Sequence, residues 1–551
     1  MIQLDKNALS RRLGTCNIVD DDADLSAANT ATFHTAQKSR LIIQPRSLAD
    51  LVQVVQLADE NKLTLYVVSR GKNWGFGSRV PVDDTDILLD LSLMNRILSY
   101  DREFGVVRIE PGVTFAQLSE FLREEGHHHF LNTIGGTPQA SVLGNILERG
   151  DGVGPFCERS EYACAPEVVL TSGAVVDLGF GNIENSRVAD LCRSGLGPNF
   201  QELFVQSNFG IVSKMTIWLH PVPENFRSIT FSLGKEHDLA QVLDALRDLY
   251  RRRVMNAPLT FWNDYKQVAT SVQYPWDRQE EPPPLRRATL EEISNNYSAW
   301  IGFGGIYVDH ARIGQLIEKE IFTRLAGLIR KPSLLSRLDN RKIAAFRLLN
   351  RFLRRTRYRF DQLLRTWRYH PLLGHPTEIS VRSLFWRKRR AVPAQLDPDR
   401  QGCGVLWNSF VLPFRGQQAA DALTGLDALI LDCGFEPLIS FVLVNDRYIR
   451  VFQQLVFDRE DREQEERALA CHGRVFSYLE SSGYSHNRLD ILSMASGDDI
   501  VLNSELHQRI KDALDPHGVI SPGRYFIRST AAAPRPPPSS PPSSPPSSPP
   551  S

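Results

Sequence analysis

The sequence predicts a fold of mixed helices and strands that begins with an α/β unit. The chain has 551 residues, which is enough for two or more domains. Its hydrophobic content of 42% and its charged content of 23% are typical of a soluble globular protein. Residues 41–78 follow the pattern strand, helix, strand and glycine-rich turn, which is how α/β domains begin.

Local signals place the first helix between two strands. The apolar run at 41–44 predicts a strand, and Ser47 followed by Asp50 is a capping pair that starts a helix. The run at 63–68 is rich in β-branched and aromatic residues, so it predicts a buried strand.

Later elements are predicted in the same way. Strands are expected at 87–91 and 106–110, and Thr114 with Gln117 forms a second capping pair that opens a helix. Near the end of the chain a helix is expected from about 503 to 514, because the proline that follows cannot extend it.

The first part of the chain contains two glycine-rich segments. The glycine loop, residues 69–78, carries Gly71, Gly75 and Gly77. Glycine allows positive φ and a close approach of backbone N–H groups to an anion, so the loop predicts a phosphate site, with an ordinary tight turn as the alternative. A second such segment at 135–150 favours two sides of a site for a large phosphate-bearing ligand. Neither segment matches the dinucleotide-binding fingerprint or the P-loop.

The composition of the chain indicates which binding partners and which cellular compartment to expect. The formal net charge is zero and the sequence pI about 7.2, so no nucleic-acid partner is expected. The seven cysteines are scattered, which predicts reduced thiols rather than disulfides or a zinc site. The histidines at 127–129 are expected in a solvated loop, so no metal site is predicted. The chain shows no signal-peptide or transmembrane pattern, which predicts a cytoplasmic protein.

Six segments carry a family resemblance in matching order and spacing. They lie at 71–78, 110–115, 141–150, 166–170, 206–219 and 515–524. Together they resemble the flavin domain of the vanillyl-alcohol oxidase and p-cresol methylhydroxylase family. The resemblance covers roughly residues 38 to 222 and again the end of the chain.

The resemblance implies an α+β fold with FAD as the cofactor. It implies a two-subdomain FAD-binding domain of the p-cresol methylhydroxylase type at 38–222, an α+β cap domain for the substrate at 223–488 and a C-terminal return to the FAD domain at 489–529. The residues that it assigns to FAD are Ser69, Arg70, Gly71, Lys72, Asn73, Gly75, Gly77, Ser78, Gly136, Ser141, Gly144, Asn145, Gly210, Ile211, Val212 and Arg524.

The chain departs from the family pattern at the substrate. Members that oxidise para-alkylphenols hold the phenolate with two tyrosines and an arginine. By motif the tyrosines fall on Phe76 and Asn487, and only the arginine remains, as Arg488. Arg488 is a candidate catalytic residue because guanidinium can hold a carboxylate, phenolate or enolate, with a solvated or ion-paired arginine as the alternative. Tyr448 is a weak acid/base candidate, because the family's active-site acid falls near it.

The resemblance also bears on how the flavin is attached. Some members link it through a cap histidine or tyrosine, and the matching position falls at or near Val405, where neither is present. FAD is therefore expected to be non-covalent. The acidic residue that one branch places beside flavin N5 matches Gly136, so assistance by a carboxylate there is not expected.

Two further segments lie outside this pattern. Residues 324–390 form a basic insert, in which 346–360 has the spacing of an amphipathic helix. Three interpretations are open, namely a cap helix with a solvated face, an interfacial helix on an anionic membrane, or a docking surface for an acidic partner or carrier-bound substrate. The Pro- and Ser-rich tail at 530–551 is expected to be disordered.

The resulting prediction is an FAD-dependent oxidoreductase. It would transfer hydride from a C–H bond of a small or medium aromatic or lipophilic substrate to flavin N5. Para-alkylphenol oxidation or hydroxylation and a redox-silent flavin-binding scaffold are the alternatives. The sequence leaves open whether the electron acceptor is dioxygen or an electron-transfer protein. It also leaves open whether the protein forms a homodimer.

Overall fold

The computed structural model describes residues 6–235, 237–278, 284–294, 298–330, 371–496 and 504–530. Within these residues helices and sheets are both abundant, which confirms the α+β fold class. The α-helices are Lys6–Arg12, Asp22–Ala28, Leu48–Asn61, Phe115–Glu124, Val142–Leu147, Leu239–Arg251, Asp264–Ser271, Arg287–Ile293, Ala311–Arg324, Gly416–Asp432, Arg462–Ser481, Ile491–Ser496 and Ser504–Leu514. Short 3-10 turns lie at Leu91–Leu93, Arg159–Tyr162, Gly179–Asn182, Gln201–Phe204, Pro371–Leu373, Ser380–Phe385 and Arg524–Phe526.

The first sheet has four strands and contains the predicted α/β unit. In spatial order its strands are Asn17–Val19, Ser39–Gln44, Thr85–Asp90 and Leu65–Val68, and the last three are parallel. The predicted first helix is confirmed, since the Ser47 side chain accepts a hydrogen bond from the Asp50 N–H at 3.2 Å. The strand expected at 63–68 begins two residues later, because Leu63 still belongs to the turn that closes the helix.

The second sheet is antiparallel and has five strands. In spatial order they are Ile97–Asp101, Val106–Ile109, Ile211–Trp218, Ala163–Val169 and Val175–Asp177. A separate pair joins His129–Phe130 to His220–Pro221. The second capping pair is confirmed, because Thr114 accepts from the Gln117 N–H at 3.1 Å and helix Phe115–Glu124 follows.

The third sheet has seven antiparallel strands and forms the centre of the cap. In spatial order they are Asn225–Leu233, Trp300–Val308, Leu259–Asn263, Leu438–Leu443, Tyr448–Asp458, Cys403–Pro413 and Ser485–Arg488. The predicted boundary at 222/223 falls between the last short strand of the first part, which ends at Pro221, and the first strand of this sheet.

The two faces of the cap sheet differ because successive residues of a strand point to opposite sides. One face, with Phe261, Phe441 and Leu455, is fully buried against the long cap helices. Their neighbours Trp262 and Gln454 point to the other face, which lines a cavity. Alternate residues of each strand therefore face the hydrophobic core, and the residues between them face the cavity.

The end of the chain returns to the first sheet. Helix Ser504–Leu514 confirms the predicted last helix, and the backbone N–H of Leu65 then donates to Val519 O at 2.8 Å. A buried ion pair fixes this return, since Lys511 Nζ lies 2.6 Å from Asp515 and also donates to the carbonyl of Ile520.

Some predictions concern residues that the structure does not describe. The amphipathic helix at 346–360 and the tail beyond 530 lie outside the described residues.

None of the helices in the described part of the chain has the length and the apolar composition that crossing a membrane requires.

Candidate functional site

A cavity of about 480 Å³ lies between the glycine loop, the second glycine-rich segment and the open face of the cap sheet. The structure brings the sequence-predicted residues together here. Those that line the cavity are Ser69, Arg70, Gly71, Lys72, Asn73, Ser78, Gly136, Ser141, Gly144, Asn145, Gly210, Ile211, Val212, Arg488 and Arg524. Gly75, Gly77 and Tyr448 do not line it.

Gly75 and Gly77 pack the loop against other parts of the chain. Gly75 has φ +79°, and a Cβ there would lie 2.0 Å from Trp407 Cδ1. Gly77 has φ +120°, and its Cβ would lie 2.6 Å from Ile491 Cγ2. Both positions combine a left-handed backbone with a close approach, so glycine is required there by packing rather than by direct contact with a ligand.

Side chains of the loop are fixed by two cap carboxylates. Lys72 Nζ lies 3.2 Å from Asp397 Oδ2. Ser78 Oγ donates to Asp399 at 2.8 Å, and Trp74 Nε1 donates to the other oxygen of this carboxylate at 3.0 Å. Burial raises the pKa of Asp399 to about 6, although the hydrogen bond from Ser78 opposes the shift. The Ser78 hydroxyl therefore positions the loop, and Lys72 reaches the cavity with part of its charge balanced.

The second glycine-rich segment forms the opposite wall. Ser141 Oγ donates to Pro111 O at 2.6 Å and accepts from the Gly144 N–H at 2.8 Å. Asn145 Oδ1 accepts from Arg159, which is completely buried and also donates to main-chain carbonyls. A Cβ at Gly135 would meet nothing within 4 Å, so the backbone here faces open space.

A buried carboxylate links two arginines at the edge of the cavity. Glu148 forms an ion pair with Arg524, and its Oε2 lies 3.7 Å from Arg488 Nε. Tyr525 Oη donates to Glu148 at 2.8 Å. Burial alone would raise the pKa of Glu148, but the two guanidinium groups outweigh it and hold that pKa below its usual range.

Arg488, the candidate catalytic arginine, lines the cavity beside Phe76. Its guanidinium carbon lies 4.3 Å from the centre of the Phe76 ring, and its Nη2 donates to Asn73 Oδ1 at 2.5 Å. Asn487 also lines the cavity, and its Oδ1 accepts from Ser409 Oγ at 2.8 Å. Arg488 therefore lies in the cavity wall as a cation whose carboxylate partner among the described residues, Glu148, is shared with Arg524.

The cap half of the cavity is mainly aromatic. Sheet register places Trp262 opposite Ser440, Ser440 opposite Phe452, and Phe452 opposite Ser409. The Trp407 ring is parallel to Phe76 within 2°, with centres 6.4 Å apart. Flat apolar surfaces with a few hydroxyl groups suit an aromatic or lipophilic ligand.

A buried lysine enters this aromatic half. Lys266 Nζ donates to Ser383 Oγ at 2.8 Å and to Gln454 Oε1. Its ammonium lies 5.9 Å from the centre of the Trp407 ring. Burial lowers the pKa of Lys266 to about 7. Among the described residues no carboxylate forms an ion pair with it.

Tyr448 lies away from the cavity. Its hydroxyl is 3.5 Å from Glu158 Oε2, and burial raises its pKa to about 12. Arg450 next to it forms ion pairs with Glu158 and Asp151. Val405, the position matched to a flavin linkage in relatives, is completely buried in strand Cys403–Pro413 and does not line the cavity either.

The residues present fit FAD. The first wall offers a loop with Gly71 at φ +61°, and the second wall offers open backbone at Gly135. Ser207 Oγ and Arg149 Nε lie at the cavity, are buried and have no hydrogen-bond partner in the described part of the chain. Polar atoms of this kind, in a cavity that also has a large aromatic section, suit a long dinucleotide with a flat ring at one end.

Comparisons with known proteins agree with this fit. The family of FAD binding domains matches residues 39–179. The chain is 38% identical over 525 residues to the 1'-carboxy-chondrochloren decarboxylase of Chondromyces crocatus, which covers 94% of this chain and 96% of that protein. It is 25% identical over 483 residues to the 4-cresol dehydrogenase [hydroxylating] flavoprotein subunit of Pseudomonas putida, covering 86% of this chain and 85% of that protein.

Solved structures show the same fold. A p-cresol methylhydroxylase with substrate bound matches with a TM-score of 0.82 and 22% identity, over 95% of this chain and 97% of the other. The 4-ethylphenol oxidase of Gulosibacter chungangensis, in its isoeugenol complex, matches with a TM-score of 0.83 and 23% identity, over 96% and 99%.

Sequence reasoning missed the cap side chains that line the site. The prominent ones are Lys266, Trp262, Phe303, Trp407, Phe452 and Gln454. One weak signal was present, since Lys266 stands in the first turn of a helix that Asn263 caps. A cation is unfavourable there because the helix dipole is positive at that end.

Proposed function

The chain belongs to the vanillyl-alcohol oxidase and p-cresol methylhydroxylase family of FAD-linked oxidoreductases, and we propose that it oxidises an aromatic or lipophilic carboxylic acid with loss of carbon dioxide. The observation that carries the proposal is the cavity itself, which joins an FAD-compatible half to an aromatic half. The relative that is 38% identical across almost its whole length is a decarboxylase of a carboxy compound, which supports this choice of reaction.

Residues of both halves have distinct roles in this reaction. FAD, when bound, supplies a hydride acceptor at N5. The glycine loop and the backbone at Gly210–Val212 would hold its phosphates and adenosine. The aromatic side chains Trp262, Trp407 and Phe452 exclude water and orient the substrate body, so that one C–H bond is presented for transfer.

The chemical step balances without a further reagent. A hydride would leave the carbon next to the one that bears the carboxylate, and bound FAD would supply the acceptor for its two electrons. The bond between carbon and carboxylate then breaks, its electron pair forms the new C=C bond, and carbon dioxide departs. The proton needed to complete reduction of the cofactor comes from solvent.

A second candidate is the oxidation of para-alkylphenols. Its support is the likeness to the 4-cresol dehydrogenase flavoprotein subunit, together with Arg488 at the cavity. Against it, Phe76 and Asn487 lack the phenolic hydroxyls that would lower the pKa of a bound phenol. Asn487 also directs its side-chain oxygen to Ser409.

Anaerobic reduction of the holoenzyme tests the reaction. Substituted 3-arylpropanoates are expected to bleach the visible flavin absorbance and to release one carbon dioxide for each flavin reduced. The matching 3-arylpropanamides serve as the control, because they have no carboxylate to lose. Bleaching without carbon dioxide release would rule out decarboxylation, and bleaching by 4-ethylphenol alone would establish the second candidate.

We further propose that FAD is held without a covalent bond. The support is that the position matched to the linkage is Val405, which is buried and carries no nucleophilic group. Acid precipitation of the purified protein should leave the yellow colour in the supernatant. Colour retained in the pellet would contradict non-covalent binding.

A further inference from the structure

Lys266 is a buried cation whose partners are both uncharged. It is 3% exposed, and it donates to Ser383 Oγ and Gln454 Oε1. The Ser383 hydroxyl donates its own proton to the carbonyl of Ser380 at 2.8 Å, so towards the ammonium it acts as an acceptor. An ammonium has three donors, which leaves one for a ligand in the cavity.

The surroundings stabilise this cation only weakly. Its Nζ lies 6.0 Å from the centre of the Trp262 ring and 5.9 Å from that of Trp407, at the outer limit of a cation–π interaction. It stands in the first turn of helix Asp264–Ser271, where the helix dipole opposes positive charge. A buried lysine in such a place costs folding free energy, which is typical of a functional site.

Arg488, a cation on the wall of the same cavity, is partly balanced by a carboxylate that it shares with Arg524. Arg488 lies 3.7 Å from Glu148, donates to Asn73 and stacks on Phe76. An anionic ligand gains more by neutralising Lys266, because no carboxylate of the described chain does so. Lys266 therefore offers a substrate anion a positive charge that no carboxylate of the described residues contacts, whereas Arg488 already contacts Glu148.

We propose that Lys266 binds the carboxylate of the substrate and thereby decides which end of the molecule enters the aromatic half of the cavity. This inference rests on the proposed function and names the substrate class more closely, as an arylalkanoic acid whose ring packs between Trp262 and Trp407. Loss of carbon dioxide removes the anion, so the product binds more weakly than the substrate and is released.

Ligand titration of the oxidised holoenzyme tests the proposal without requiring turnover. The probes are cinnamate and its neutral isostere cinnamamide, which have no sp3 C–H bond for hydride transfer, and binding is followed by the change in flavin absorbance. The wild-type protein is expected to bind the acid roughly 10- to 100-fold more tightly than the amide, which is the range of a charge-assisted hydrogen bond. Lys266→Met should bind both equally, and Lys266→Arg should keep part of the preference.

Lys214→Met is the matched control. Lys214 pairs with Glu167 on the second sheet and does not line the cavity, so this variant should keep the full preference. If Lys266→Met does not fold, Lys266→Gln replaces it, since glutamine keeps a donor without the charge.

Two outcomes would overturn the role of Lys266. One is a wild-type protein that does not distinguish acid from amide, and the other is a Lys266→Met protein that retains the preference. Failure of the proposed function is a separate result, because cinnamate would then still bind through Lys266 while 3-arylpropanoates neither reduce the flavin nor release carbon dioxide.

Discussion

The guanidinium of Arg488 stacks on Phe76, with its carbon 4.3 Å from the ring centre. The family resemblance matches this arginine and the Phe76 position to a predicted phenolate site. Here the stacking partner has no hydroxyl, and the arginine also contacts Glu148 and Asn73. The arginine thus lies in a wall where Phe76 and Asn487 offer no phenolic hydroxyl.

Restoring both tyrosines should recreate phenol binding. The double variant Phe76→Tyr with Asn487→Tyr is expected to bind 4-ethylphenol at least about tenfold more tightly, because two donors to the phenolate are added. Flavin difference spectra measure the affinity. Each single variant is the control and should gain less, and an unchanged affinity in the double variant would refute a lost phenol site.

Lys266→Met should make the protein more stable. Burial lowers the folded-state pKa of Lys266 to about 7 from 10.5, so the folded state disfavours the charged form. The stability cost is fully present below about pH 7 and is relieved as pH rises towards 10.5. Methionine removes the cost, so we expect a gain of roughly 1–3 kcal/mol in the free energy of unfolding at pH 6.5. Chemical denaturation of the apoprotein measures it, and the gain should shrink at pH 9.5.

Asp399→Asn should change how stability depends on pH. Burial raises the folded-state pKa of Asp399 to about 6 from 3.8, so its contribution is present below pH 3.8 and is lost as pH rises through 6. The amide stays neutral, and it can still accept from Trp74 while donating to Ser78. The variant should therefore melt at a higher temperature than wild type at pH 7.5, with the difference reduced at pH 4.5. Equal differences at both values would contradict the raised pKa.

Breaking the Lys511–Asp515 pair should release the cofactor. Both side chains are completely buried, and Lys511 also donates to the carbonyls of Asn208 and Ile520. Lys511→Met leaves Asp515 as an uncompensated buried charge, which is expected to cost about 3–5 kcal/mol. Thermal unfolding and the FAD retained after gel filtration report the effect. Arg509→Ala removes an exposed pair on the same helix and should change neither.

Much of the fold follows from short-range signals. The capping pairs at Ser47 and Thr114 were predicted because each depends on residues three apart, and the end of the last helix was predicted because a proline follows it. The strand at 65–68 was predicted two residues too long at its start, because apolar composition does not mark where a turn ends and pairing begins.

Most of the residues that the sequence assigns to FAD line one cavity, and their contact with FAD stays a prediction. The assignment came from two glycine-rich segments and the family motifs, because phosphate binding needs backbone conformations that few residues other than glycine adopt. The roles of Gly75 and Gly77 could not be predicted, because the sequence does not show that Trp407 and Ile491 lie against them. The same limit applies to Tyr448, whose side chain lies by Glu158 rather than at the cavity.

The substrate half depends on long-range pairing. Lys266 meets Ser383 and Gln454, which are 117 and 188 residues away along the chain. Its burial and the absence of a neighbouring carboxylate in the described residues arise only when the strands of the cap sheet align and helix Asp264–Ser271 crosses them. Local hydrogen bonds and motif spacing depend on residues that are close together in the sequence, so the sequence alone determines them. The charge balance of a cavity depends on all the residues that surround it, and only the tertiary structure brings these together.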